Sequence, residues 1–225
     1  MTPMNVTQAA LSRHAVRAFK PDAIEVGVVR ELIETAKRAP SGGNLQPWRV
    51  YALAGDPLAQ FKAIIARKLA DGIRGEPPEY AVYPPDLWEP LRTRRREAGA
   101  KRYAALSATR SDENQRLLEQ QNYAFFGAPV GLFFCLDRRV GPPQWADMGM
   151  YMQTLMLLAV ERGLATCPQE VWSNWPITIA EFLRLPSAHM VFAGMSLGHE
   201  DPEDPLNRYR TDREPFDGFA EMIGF

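Results

Sequence analysis

With 225 residues, 46% of them hydrophobic and 24% charged, the chain reads as one globular domain (1–225), neither disordered nor of low complexity. A formal net charge of −1 removes the electrostatic case for a nucleic-acid partner. No apolar run reaches the ~20 residues of a membrane-spanning helix, and Cys135 and Cys167 supply neither a disulfide framework nor a CxxC pair.

The stretch Met1 to Ala10 lacks the charged-then-apolar layout of a secretory leader, so a cytoplasmic protein is the expectation. Val6 to Ser12 reads as a short first helix. Val29, Leu32, Ile33 and Ala36 recur at helical spacing, which predicts a second helix over 26–39, stopped by Pro40. Arg49 to Leu53 is a short β-prone run closed by the turn signal Ala54-Gly55-Asp56-Pro57. Leu58, Phe61, Ile65 and Leu69 then mark another helix.

Asp71 to Arg110 is an insertion, stiffened in its first half by Pro77, Pro78, Pro84, Pro85 and Pro90. Its second half carries Arg92, Arg94, Arg95 and Arg96, then Lys101 and Arg102. Two readings stand. One is a solvated helix face. The other is a lid over a pocket, in which one of these arginines attracts an anionic substrate and Tyr80, Tyr83 and Trp88 supply an apolar wall.

Val130 to Leu136 is a continuous apolar run, the pattern of a fully buried strand, and Val191 to Leu197 reads similarly. Between them, Met148, Met152, Leu155, Met156 and Ala159 form one stripe of a helix over 147–162. Tyr151, Leu158 and Val160 make its other faces apolar too, so the helix belongs either in the centre of the core or in a subunit interface. Thr178-Ile179-Ala180-Glu181 fits a capping box and predicts a helix starting at Thr178. Helices outnumber strands, which points to a helix-rich layered α+β sandwich around a small sheet. Phe216, Phe219, Ile223 and Phe225 make the final stretch an apolar arm that requires docking.

Four separated stretches carry candidate chemistry. Arg13 and Arg17 bracket an extended run after the first helix, and are either a phosphate grip or plain surface arginines. In Ala39 to Trp48, small residues permit a close backbone approach. Asn44 and Gln46 there each offer a donor and an acceptor. That pattern suits a flat ring with alternating polar edges, and equally an ordinary helix-to-strand loop. Gly163 to Trp172 reads as a loop presenting backbone N–H groups, with Cys167 structural because no histidine lies near it in sequence. The turn-rich stretch from Gly198 leads into Arg208, Arg210 and Arg213. Its histidine and carboxylates read as a solvated loop, not a metal site.

Taken together, SRHAVRAF (12–19), APSGGNLQPW (39–48), GLATCPQE (163–170) and RTDREP (210–215) resemble the nitroreductase family. Within it, NYAFFGAPVGLFFCLDR, GPPQWADMGMYMQTLMLLA and the closing MIGF are most similar to the branch containing nitrobenzoate reductases. The resemblance implies an α+β, three-layer α/β/α sandwich, helix-rich and homodimeric, with FMN at the subunit interface and the long apolar helix against its symmetry mate. It implies electron transfer from NAD(P)H through FMN to a nitroaromatic or similar small aromatic acceptor, and no catalytic side chain or metal. Alternatives within that reading are a dehalogenase, an enone reductase or a non-enzymatic flavin-binding protein.

Carried over residue by residue, the resemblance places Arg13 and Arg17 on the FMN phosphate or ribityl chain, with His14 and Ala15 along the same contact strand. The family often has serine at position 15, so a hydroxyl contact is lost here. Pro40, Ser41, Gly42, Asn44 and Gln46 would line the cofactor from the second subunit. Pro168, Gln169 and Glu170 would place main-chain groups beside the ring, and Arg213, with Arg210 a weaker candidate, would bind the phosphate.

Overall fold

The computed structural model describes residues 4–225; the first three residues of the stretch read for a leader lie outside the described residues. The elements are α1 (Val6–Ser12), α2 (Val26–Ala36), β1 (Arg49–Ala54), α3 (Gly55–Ala70), α4 (Leu91–Ala105) and α5 (Asp112–Tyr123). They continue with β2 (Val130–Asp137), α6 (Pro142–Glu161), β3 (Ala165–Gln169), α7 (Pro176–Leu183), β4 (His189–Gly198) and the short α8 (Pro205–Arg208).

The strands form one four-stranded sheet in the order β1-β2-β4-β3, with every neighbouring pair antiparallel. The apolar run in β2 sorts by the two-residue period of a strand. Val130, Leu132, Phe134 and Leu136 enter a core built with α2 and α6, whereas Phe133 and Cys135 enter a second core built with α3, α5 and α7. A sheet covered on both faces needs apolar residues at every position, which is why this run does not alternate with polar ones. The result is the expected three-layer α/β/α sandwich. No helix among the described residues is long and apolar enough to cross a membrane.

Where β2 meets β4 the register slips: Phe134 faces Ala193 but Cys135 faces Val191. The extra residue is Phe192, a β-bulge that turns both Phe192 and Ala193 toward the α2/α6 layer. In the opposite layer Trp172 stacks on Phe125 with ring centroids 4.6 Å apart. Gly194 makes room for it, since a Cβ there would stand 2.2 Å from Trp172 Cδ1.

Several expectations are corrected. The second helix ends at Ala36, not position 39. Residues 37–39 form tight turns instead (Arg38 N to Thr35 O, Ala39 N to Ala36 O), because the residue before Pro40 is pushed out of the helical region. The long apolar helix starts earlier than expected, at Pro142, where the Gln144 side chain accepts from Gly141 N at 3.2 Å. Thr178 does not open its helix: α7 begins at Pro176, and the Thr178 amide donates to Glu76 Oε2 at 3.0 Å while its hydroxyl donates to Oε1. The stretch read as a loop after Gly163 is largely strand β3. Helix α5 carries only Leu118 and Tyr123 as buried residues, too sparse a stripe to stand out in sequence.

Candidate functional site

The site is built along the outer edge of β3. Chain residues 13–19 leave α1 extended and run beside that edge, where Ala15 bridges Thr166 and Val16 N donates to Thr166 O at 3.1 Å. This fixes Arg13 and Arg17 next to the strand. The Arg17 amide donates to Asn207 Oδ1 at 2.7 Å, and its guanidinium lies over Tyr209 at 5.6 Å and donates to Ala15 O at 3.3 Å. The His14 side chain is already engaged, with Ser12 O at 3.0 Å and Glu200 Oε1 at 3.1 Å, which leaves its backbone for any ligand.

The C-terminal stretch joins the same place. Asn207 is buried and donates to Ala18 O and Asp201 O, both at 2.8 Å, so it ties the start of that stretch to the 13–19 segment. Arg210 Nη1 donates to Asn207 O at 2.6 Å, and Arg213 Nη1 to Thr211 O at 3.1 Å and Asp212 O at 2.9 Å. Burial and then the nearby Arg213 charge lower the pKa of Arg13, with Cys167 acting in the opposite sense. Burial pushes the Cys167 thiol up to about 11, against the charges of Arg17, Arg102 and Arg13. That thiol is protonated at neutral pH and is a packing group, as is the buried Cys135.

Among the described residues, none of Arg13, Arg17, Arg102, Arg210 and Arg213 forms an ion pair with a carboxylate. Two buried polar atoms around the strand also lack partners, Thr166 Oγ1 and Arg102 Nε. Clustered guanidinium groups without acids to neutralise them form a site for an anion rich in acceptor oxygens. A phosphate monoester fits that donor set.

At the inner end of β3, Pro168 is half-buried and Gln169 is buried. Gln169 Nε2 donates to Asn122 O at 2.6 Å and Oδ1 at 2.7 Å, while its Oε1 lies 2.9 Å from Ser196 Oγ. The Gln169 side chain is thus committed to the interior, and main-chain groups are what remains for a ligand. Glu170 opens a 3-10 turn, so its amide has no intrahelical acceptor. Partial desolvation raises the Glu170 carboxyl pKa, although the residue as a whole is exposed.

The Pro40–Gln46 loop stands apart. It contains a 3-10 turn at Gly42–Asn44, with Gly43 and Asn44 at φ 57° and Gln46 at φ 49°. Its contacts are to α6 and to itself: Gly42 N to Asp147, Gln46 N to Ser41 Oγ at 3.0 Å, and Gln46 Nε2 to Asn44 O at 3.3 Å. Trp48 stacks on Tyr151 at 5.0 Å and belongs to the core. Within one chain, therefore, the fold gathers Arg13, Arg17 and Arg213 but leaves this loop facing outward. Asp147, Asn207 and Asn122 were not singled out from sequence. Only Asp147 gave a signal, as an acid at the head of a mostly apolar helical run.

The arginines gathered beside the edge strand of this layered sandwich, unpaired with carboxylates among the described residues, suit a small anionic ligand. The family model described as Nitroreductase family matches residues 10–199. The chain belongs to that family. It is 37% identical over 218 residues to a 4-nitrobenzoate reductase of Pseudomonas putida, covering 95% of this chain and 93% of that protein. Among solved structures it is similar to the FMN and NADPH-dependent nitroreductase NfnB from Sphigopyxis sp. strain HMH, with 41% identity, a TM-score of 0.94 and coverage of 99% and 100% of the two chains. It is also similar to the FMN-dependent nitroreductase NfnB from Mycobacterium smegmatis, solved in complex with NADPH, with 28% identity, a TM-score of 0.91 and coverage of 97% and 100%.

Proposed function

We propose that this chain is an FMN-dependent oxidoreductase that takes electrons from NAD(P)H and passes them to a nitroaromatic or similar small acceptor, working in the cytoplasm as a homodimer with FMN held between its subunits. The observation that carries the reading is the cluster of Arg13, Arg17 and Arg213 beside β3, which pairs with no carboxylate among the described residues, in a chain of the Nitroreductase family.

In this reading Arg13, Arg17 and Arg213 hold the phosphate, with Arg210 beside them, and the backbone at His14 and Ala15 lies along the ribityl chain. Pro168, Gln169 and Glu170 border the ring with main-chain groups, and donors at a ring edge stabilise the negative charge that builds up there on reduction. FMN, when bound, supplies the redox chemistry, and the protein supplies position and electrostatics. Pro40, Ser41, Gly42, Asn44 and Gln46 of the second copy complete the pocket.

The dimer is supported by two exposed apolar surfaces. Ala146, Gly149, Met150 and Gln153 form an open stripe on α6, and its small residues allow a second helix to come close. The arm beyond Glu214 leaves Phe219 70% and Phe225 99% exposed. We read 1–225 as one domain in which 71–110 is a lid and 214–225 an arm. The free, buried Cys135 and Cys167 suit a reducing compartment.

Denaturing the purified protein and chromatographing the released cofactor tests the reading. FMN at about one per chain is expected. FAD, or no flavin even after reconstitution, overturns it.

A further inference from the structure

The basic residues of α4 have different fates. Arg94 pairs with Glu214 at 2.7 Å and Lys101 pairs with Asp212. Arg92 Nε donates to Leu87 O at 2.7 Å, and Arg95 lies 3.9 Å from the centre of the Tyr83 ring. Arg102 is unlike them. Its Nε is buried without a hydrogen-bond partner among the described residues, and its charge reaches the Cys167 thiol together with those of Arg17 and Arg13. A buried guanidinium N–H with no acceptor is unfavourable, and an anion brought beside it would supply one.

The placement of α4 gives the anion. The partners of Lys101 and Arg94, Asp212 and Glu214, are the two neighbours of Arg213 in sequence, so α4 is latched to the C-terminal stretch on both sides of that arginine. The same helix packs on α8, which leads into Arg210. Arg102 therefore approaches the Arg13–Arg213 end of the cluster from the insertion.

We propose that Arg102 is a further phosphate ligand, which closes on the phosphate monoester of FMN from helix α4. The inference rests on the FMN reading above and adds to it: the inserted segment is part of the cofactor site, so FMN occupancy and the docking of α4 support each other. A phosphate held there would give the Arg102 Nε–H the acceptor it lacks among the described residues, through a charge-assisted hydrogen bond.

The test compares wild type, R102K and R102Q, each checked for unaltered thermal unfolding after flavin removal. FMN and riboflavin, which lacks the phosphate, are titrated into each, and hydrogen exchange of α4 is followed with and without FMN. R102Q is expected to lose about tenfold or more in FMN affinity with riboflavin binding unchanged, R102K to lie between, and FMN to slow α4 exchange in wild type but not in R102Q. Unchanged FMN affinity in R102Q overturns the proposal. So does an equal loss for both flavins, which marks a structural role. A variant that keeps FMN but loses its preference for 4-nitrobenzoate over neutral nitrobenzene also overturns it, by assigning Arg102 to the substrate. If wild type itself takes up no FMN, the reading beneath the proposal fails with it, an outcome distinct from all three.

Discussion

The buried carboxylate of Asp147 accepts the backbone amide of Gly42, at 3.2 Å to one oxygen and 3.3 Å to the other. One acid on α6 thereby anchors the whole outward-facing Pro40–Gln46 loop. Replacing Asp147 by Ala leaves the Gly42 amide without its acceptor and is expected to cost about 1–3 kcal/mol of stability. In the proposed dimer, in which the loop lines the FMN pocket, FMN affinity should fall as well, with Asp147→Asn intermediate. Thermal unfolding and FMN titration check both effects, and a stability loss with unchanged FMN affinity would separate the loop from the cofactor.

Arg213 and Arg208 lie close in sequence but differ in their surroundings. Arg208 pairs with Glu203 at 3.1 Å, whereas Arg213 has no carboxylate partner among the described residues and its charge is felt by Arg13. Arg213→Ala should therefore weaken FMN binding by about 1.5–3 kcal/mol, the worth of a hydrogen bond to a charged group. Arg208→Ala should leave it nearly unchanged. Fluorescence titration of FMN into the two variants decides the point, and equal affinities would contradict the assignment.

Burial raises the Cys167 thiol to about 11, above the ~8.5 of an unfolded thiol. The folded state then holds a proton that the unfolded state gives up, so stability is full below ~8.5 and falls as pH rises toward about 11. Cys167→Ala should flatten part of that decline. Denaturant midpoints measured across the alkaline range report it. The same protonated thiol should resist alkylation in the folded protein at neutral pH, and rapid labelling there would contradict a buried packing role.

The C-terminal arm presents Phe216 and Phe219 to each other at 5.7 Å while Ile223 and Phe225 are 85% and 99% exposed. Deleting residues from Phe216 onward should weaken both the proposed dimer and flavin retention. Sedimentation velocity and the flavin-to-protein ratio measure this, and unchanged values would leave the arm without a docking role.

Much of the layering was readable because it depends on local apolar patterns. The uninterrupted run from Val130 to Leu136 announced a strand covered on both faces, and the sheet carries a helical layer on each. Strand β3 was not readable: Ala165-Thr166-Cys167-Pro168-Gln169 has little β character, and it becomes a strand because β4 and Ala15 supply its hydrogen bonds. The arginine clusters at both chain ends were visible, but not which members turn inward. Arg92, Arg94, Arg95 and Arg96 drew attention as a run. Three of them are taken up by Leu87, Glu214 and Tyr83, and Arg96 is exposed, while the charge of Arg102, later in the same helix, is felt by Cys167 together with those of Arg17 and Arg13. Such choices depend on long-range placement that no local pattern encodes.

The most direct test of the account follows the two halves of the proposed reaction in the absence of oxygen. NADH or NADPH added to the yellow protein should bleach its flavin absorbance, and 4-nitrobenzoate added afterwards should restore the colour with formation of a reduced nitrogen product. Flavin that stays oxidised under excess NADH and NADPH, or reduced flavin that 4-nitrobenzoate and neutral nitroaromatics fail to reoxidise, would contradict it.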